Sequence, residues 1–163
     1  FHDLKKMAEW AAATGQRVLQ ILPVNDTTAT GTWTDSYPYS ANSIYALHPQ
    51  FVYLPEAGVR RDKAYKTLQA ELEALPQVDY ERVNREKDRL MRKAFASNWK
   101  KLKETEDYRK FYNDNKFWLD AYCAYRILTV TNGTADPAKW GKYSKFSKSR
   151  HETLIGENRD DAD

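Results

Sequence analysis

The run from Leu19 to Pro49, LQILPVNDTTATGTWTDSYPYSANSIYALHP, constrains this chain more than any other. It opens as a short apolar strand, LQILPV, and turns into a long segment of Asn, Asp, Thr, Ser, Trp and Tyr. Loops longer than about 12–15 residues are as a rule functional or disordered. Trp33, Tyr37, Tyr39 and Tyr45 argue for order, because disordered segments are poor in aromatics. A strand whose C-terminal end opens into a polar, aromatic loop is how an α/β barrel builds part of a binding site.

The flanking pattern agrees. Residues 3 to 14 place Leu4, Met7, Ala8 and Ala11 on one helical face, and Gly15 follows as a stop. The apolar VLQILPV after that turn makes half of a βαβ unit, whose first strand would precede Phe1. The chain starts with Phe inside a helical pattern, as a piece cut from a longer protein would. FVYL at 51 to 54 reads as a short strand or an extended packing segment. From about residue 60 the pattern is helical. One helix runs over 62–75 and stops at Pro76. A second, over about 79–104, carries Asp79 and Glu81 in its first turn and Val83, Leu90, Met91, Ala94, Phe95 and Leu102 on a heptad-like face. A third, over about 107–130, spaces Phe111, Trp118, Leu119, Tyr122 and Tyr125 three to four residues apart and ends at Gly133 and Pro137. One or two short helices follow, then an acidic tail, NRDDAD. No strict heptad persists, which favours a packed helical subdomain over a coiled coil.

Composition removes several function classes. With 26 Lys and Arg against 23 Asp and Glu, the net charge is +3, and the signs are mixed as on solvated helix faces, which disfavours nucleic-acid binding. A single cysteine, Cys123, excludes an intrachain disulfide and a cysteine-cluster metal site. His2, His48 and His151 lie too far apart for a metal-ligand spacing. No apolar run approaches the ~20 residues that span a bilayer.

LQILPVNDT followed by DSYPYSANSIYALHP resembles the early barrel region of the 4-α-glucanotransferases of glycoside hydrolase family 77. The matching residues are Leu22, Pro23, Asp35, Ser36, Pro38, Tyr39 and Ser40. The resemblance extends more loosely to Tyr80–Val83, Trp118–Leu128 and Gly133–Trp140. It implies a mainly α chain with a little β: part of a (β/α)8 barrel with its substrate loop over 1–58, and a helical insertion subdomain over 59–163. It also implies a cytoplasmic enzyme without metal or organic cofactor. Such an enzyme transfers α-1,4-glucan segments between maltooligosaccharides by retaining double displacement, using two carboxylates about 5 Å apart. In the family those carboxylates lie on later strands. No catalytic residue is assigned here, and the chain without the remainder of its barrel is expected to be inactive.

Three residues are candidates for substrate contact. Tyr39 matches the tyrosine of the family's Pro-Tyr pair, which lines the donor side of the cleft. Its apolar ring and one hydroxyl suit a sugar. Trp33 stands where relatives can carry an aromatic that touches glucan outside the main cleft. Asp35 either anchors the loop or contacts a sugar hydroxyl. Asp26 sits in Asn-Asp-Thr-Thr and reads as a turn residue. Phe117, Trp118, Tyr122 and Tyr125 read first as a core face. Ser36, Ser40 and Ser43 lack a nucleophile-elbow setting and a neighbouring histidine. The rival reading is a non-enzymatic helical module that binds a protein or glycan, which solvent-facing Trp118 and Tyr122 would favour.

Overall fold

The structure, a computed structural model, describes residues 1–157; the acidic tail read from the sequence lies outside them. Among the described residues five α-helices occur, α1 (His2–Ala13), α2 (Lys63–Glu73), α3 (Tyr80–Leu102), α4 (Glu106–Asn132) and α5 (Lys148–Glu157), with the long segment 14–62 between the first two and shorter connections between the others. Helix-forming stretches set their length and local capping sets their ends. The side chains of Asp62, Asp79 and Thr105 accept the backbone N–H groups of Tyr65, Arg82 and Tyr108, each satisfying a donor that the first helical turn leaves open. Glu106 and Asp107 add negative charge at the positive end of α4. Gly133 closes that helix at φ 63°, a left-handed conformation that side chains resist.

The apolar core sits at the C-terminal end of α4. Ala124 and Leu128 pack with Trp140, from the connection after α4, and with Leu154 of α5, bordered by Tyr125, Ile127, Tyr143 and Ile155. Trp140 buries its ring while its indole N–H donates to the Thr134 carbonyl at 2.8 Å, so no polar atom of the ring is stranded. At the other end, α1 and α3 grip the segment around Phe51. The Phe1 amino terminus donates to the Phe51 carbonyl, and His2 stacks on Tyr53 with ring centroids 4.6 Å apart. The half-buried Lys87 of α3 donates to the carbonyls of Gln50 and Val52. Burial pushes its ammonium pKa down.

The mainly helical class and all five helices agree with the sequence reading. The strand expected over residues 18–24 does not. Those residues have no regular secondary structure, and among the described residues they form no ladder. The pairing is reduced to one antiparallel bridge between Asn25 and Leu47, flanked by bonds from His48 N–H to the Val24 carbonyl and from Asp26 N–H to the Ala46 carbonyl. A ladder needs a neighbour at about 4.8 Å along its length, and residues 46–48 meet the segment only at its end. Val18 and Leu22 are left 80% and 62% exposed, bare in the way that a two-faced parallel strand is without its neighbours. FVYL is no strand either, since Phe51 ends a 3-10 turn and Leu54 enters another turn. The heptad-like face of α3 is covered only in part: Val83, Leu90, Met91 and Ala94 are half-buried, whereas Phe95 and Leu102 are exposed.

Truncating Leu128 to alanine removes methyl groups from the centre of this core and should cost about 3 kcal/mol. Leu102→Ala, on the open end of α3, should cost less than about 1 kcal/mol. Urea denaturation of the two variants checks the contrast, and equal losses would misplace the core.

Candidate functional site

The polar segment 25–48 is an ordered loop built round two buried carboxylates. Asp26 is fully buried. Its Oδ1 accepts the Thr28 backbone N–H at 3.0 Å and the Thr28 hydroxyl at 2.6 Å, and its Oδ2 accepts the Tyr122 hydroxyl at 2.6 Å. Its own N–H and carbonyl bond Ala46 and Asn42, which joins the two limbs of the loop. Burial alone would raise the Asp26 pKa. The bonds from Thr28 and Tyr122, with Arg126 nearby, outweigh that and hold it below the ordinary carboxylate range. The same burial, and the bond to Asp26, push the Tyr122 phenol strongly up, so it stays a donor. The turn expected at Asp26 is therefore present, and it is bolted to α4 as well.

Asp35 is also buried. Its carboxylate accepts the backbone N–H groups of Ala29, Thr30 and Gly31 and the Thr30 hydroxyl, and its carbonyl accepts the Thr27 hydroxyl. Gly31 reaches this ring of amides at φ 72°, which only glycine adopts without strain. Asp35 thus spends its acceptors on the loop itself, whereas Asp26 divides its oxygens between Thr28 of the loop and Tyr122 of α4.

Three side chains of α4 reach the loop from one stripe. Trp118 stacks on Tyr45 with centroids 5.5 Å apart, Tyr122 donates to Asp26, and Arg126 donates to the Thr28 carbonyl at 2.9 Å. Successive members are four residues apart, the repeat that keeps side chains on one helical face. Trp118 and Tyr122 are half-buried against the loop, neither core nor bare surface, while Phe117 is 69% exposed. Glu81 of α3 adds a further hold by accepting the Trp33 backbone N–H.

The outer face of the loop is aromatic. Trp33, Tyr37 and Tyr39 are 68%, 59% and 64% exposed, and the two tyrosine rings lie 5.6 Å apart. Of the three sequence candidates, Tyr39 and Trp33 therefore face solvent and Asp35 faces inward. Beside the loop runs an open groove lined by Leu4, Met7, Ile21, Leu22, Phe51 and Val78. Among the described residues no cluster of three or more metal-ligating side chains occurs, and no helix is long and apolar enough to cross a membrane.

His48 was not singled out from the sequence, yet it is buried at the loop's far end. Its Nδ1 accepts the Gln50 N–H, so the neutral ring carries its proton on Nε2. Burial depresses its pKa below the usual 6.5, aided by Arg126 and opposed by Asp26 and Asp35. The unfolded chain then takes the proton first. Stability is fully present above 6.5 and declines as pH drops through that value until the folded imidazole itself titrates. Asp26 acts in a separate, more acidic window: its contribution holds above 3.8 and is lost below it. Melting temperatures between pH 7.5 and 5 should fall for the native chain and be nearly flat for His48→Gln. An unchanged slope in the variant would assign the acid sensitivity elsewhere.

The model of the 4-alpha-glucanotransferase family in glycoside hydrolase family 77 matches residues 1–163. The 4-alpha-glucanotransferase DPE2 of Oryza sativa subsp. japonica is 34% identical over 160 residues, covering 96% of this chain and 17% of that protein. A 4-alpha-glucanotransferase of Chlamydia caviae is 32% identical over 149 residues, or 87% of this chain and 27% of the relative. One of Clostridium butyricum is 28% identical over 137 residues, 83% of this chain and 27% of the relative. The chain thus spans between about a sixth and a quarter of the length of these relatives. No solved structure matches it significantly.

Proposed function

This chain belongs to the 4-alpha-glucanotransferase family, and we propose that it is an early part of the catalytic region of an enzyme that moves α-1,4-glucan segments between maltooligosaccharides. The carrying observation is the family match over residues 1–163 together with the motif tyrosine, Tyr39, standing at the surface of an internally braced loop. In this reading Tyr39 offers its ring to the apolar face of a glucose unit and its hydroxyl to a sugar oxygen. Trp33 offers a second platform on the same loop. Asp35 serves the substrate by fixing the backbone between them, since its oxygens are engaged by the amides of residues 29–31.

The chemistry would be retaining double displacement. One carboxylate attacks the anomeric carbon while a second protonates the leaving glycosidic oxygen. The resulting glycosyl-enzyme bond is then broken by an acceptor hydroxyl, whose proton the second carboxylate takes. Neither Asp26 nor Asp35 is placed for these roles, because each is interior and hydrogen-bonded. The pair would come from outside the matched region. The apolar segment 18–24, with Val18, Ile21 and Leu22 exposed, fits a barrel strand whose partners belong to the rest of the protein, with residues 59–163 as the helical insertion. No metal or organic cofactor enters this chemistry, and a cytoplasmic location goes with the same reading. The alternative of a helical glycan-binding module loses its main support, since Trp118 and Tyr122 are occupied by the loop.

Two measurements test this. In the enzyme that carries this chain, Tyr39→Ala should raise KM for maltotriose about tenfold, the loss of one stacked aromatic contact. An unchanged KM would remove Tyr39 from the site. The 163-residue chain incubated alone with maltotriose should release no glucose. Glucose together with longer oligomers would place the catalytic pair within the chain and overturn the assignment.

A further inference from the structure

We propose that Tyr122 is a positioning residue: through the buried Asp26 carboxylate, helix α4 sets the placement of the loop that presents Tyr39 and Trp33, and so sets affinity for glucan. The proposal rests on the functional reading above. It stands on three contacts made by one helical stripe. Trp118 stacks on Tyr45, Tyr122 donates to Asp26 at 2.6 Å, and Arg126 donates to the Thr28 carbonyl at 2.9 Å. The first lies on the outgoing limb of the loop and the other two on the incoming limb. Asp26 joins the limbs through its bonds to Ala46 and Asn42, so a shift at Tyr122 reaches both.

The middle contact carries the most weight. A buried carboxylate tolerates its site only while donors cover its oxygens. Thr28 covers Oδ1 from within the loop and Tyr122 covers Oδ2 from outside it, 96 residues away in sequence. The loop can brace Asp35 unaided, but it cannot satisfy Asp26 without α4. Of the contacts that hold the loop from outside, including that of Glu81 with the Trp33 N–H, the bond from Tyr122 is the one its buried charge requires. Helix α4 is in turn held by its packing against α5 through Ala124, Leu128 and Leu154. The insertion would then be the rest against which the substrate loop is set. A pre-ordered loop pays less ordering entropy when it receives an oligosaccharide.

Tyr122→Phe keeps the ring and removes the hydroxyl. In the enzyme that carries this chain, it should raise KM for maltotriose about fivefold, with kcat within about twofold of the native enzyme. Amide hydrogens of residues 26–31 should exchange faster, while those of the α4–α5 core keep their protection. Asp26→Asn should raise KM similarly, and the double variant should add little, because both substitutions break one bond. A lower melting temperature with KM and loop exchange unchanged would make Tyr122 merely structural and overturn the proposal. A native enzyme that fails to disproportionate maltotriose would instead overturn the functional reading. Loop exchange in Tyr122→Phe would still decide whether Tyr122 holds the loop.

Discussion

The arrangement depends on one buried carboxylate. Asp26 has no exposed surface, and a carboxylate taken from water costs several kcal/mol unless its oxygens are satisfied. Here the chain meets that cost with a backbone amide, a threonine hydroxyl and a tyrosine hydroxyl, with an arginine close by. Because the last two come from α4, satisfying the charge requires the loop and the helix to be in register. A leucine at this position would fill space against many partners. A carboxylate accepts few, and that selectivity is what it contributes.

The loop separates two tasks by depth. Its acids face inward: Asp26 is shared with α4, and Asp35 gathers the amides of residues 29–31 as a ring of N–H groups holds an anion. Trp33, Tyr37 and Tyr39 turn their rings outward, while Tyr45 stacks on Trp118 of α4. Three threonine hydroxyls, of Thr30, Thr32 and Thr34, bond to one another along the rim. On the proposed reading, a braced base under exposed rings gains contact area with an oligosaccharide without ordering the protein at the same time.

The helices were legible in the sequence because their signals are local. Asp79 precedes the first turn of α3, Gly133 ends α4, and the apolar spacing lies within each segment. The strand was misjudged for the converse reason. An apolar run such as VLQILPV predicts what a segment is suited to pair with, whereas a ladder exists only where neighbours are present. Asp26 was legible as a turn residue from Asn-Asp-Thr-Thr, but not as a partner of Tyr122, since nothing local links residues so distant. His48 gave no signal at all: a histidine before a proline is an ordinary loop residue until burial deprives its ring of water. Tyr39 and Trp33 were found by family motif and not by pattern, because nothing in their local spacing separates a presented ring from a packed one, and both are exposed.

Helix α4 explains why the two halves of the chain are not independent. Trp118, Tyr122 and Arg126 face the loop, while Ala124 and Leu128 face α5. Residues 122 and 124, or 126 and 128, are two positions apart, which is about 200° round the helix. The helix is therefore packed on opposite sides, and a sequence reading that seeks one apolar face finds a diffuse pattern instead. Neither side would hold alone: the α5 side is a small apolar core, and the loop side is largely polar. Sharing one 27-residue helix makes each side the support of the other. A change that loosens the apolar core then reaches the aromatic loop through Tyr122 without touching any of the loop's exposed rings.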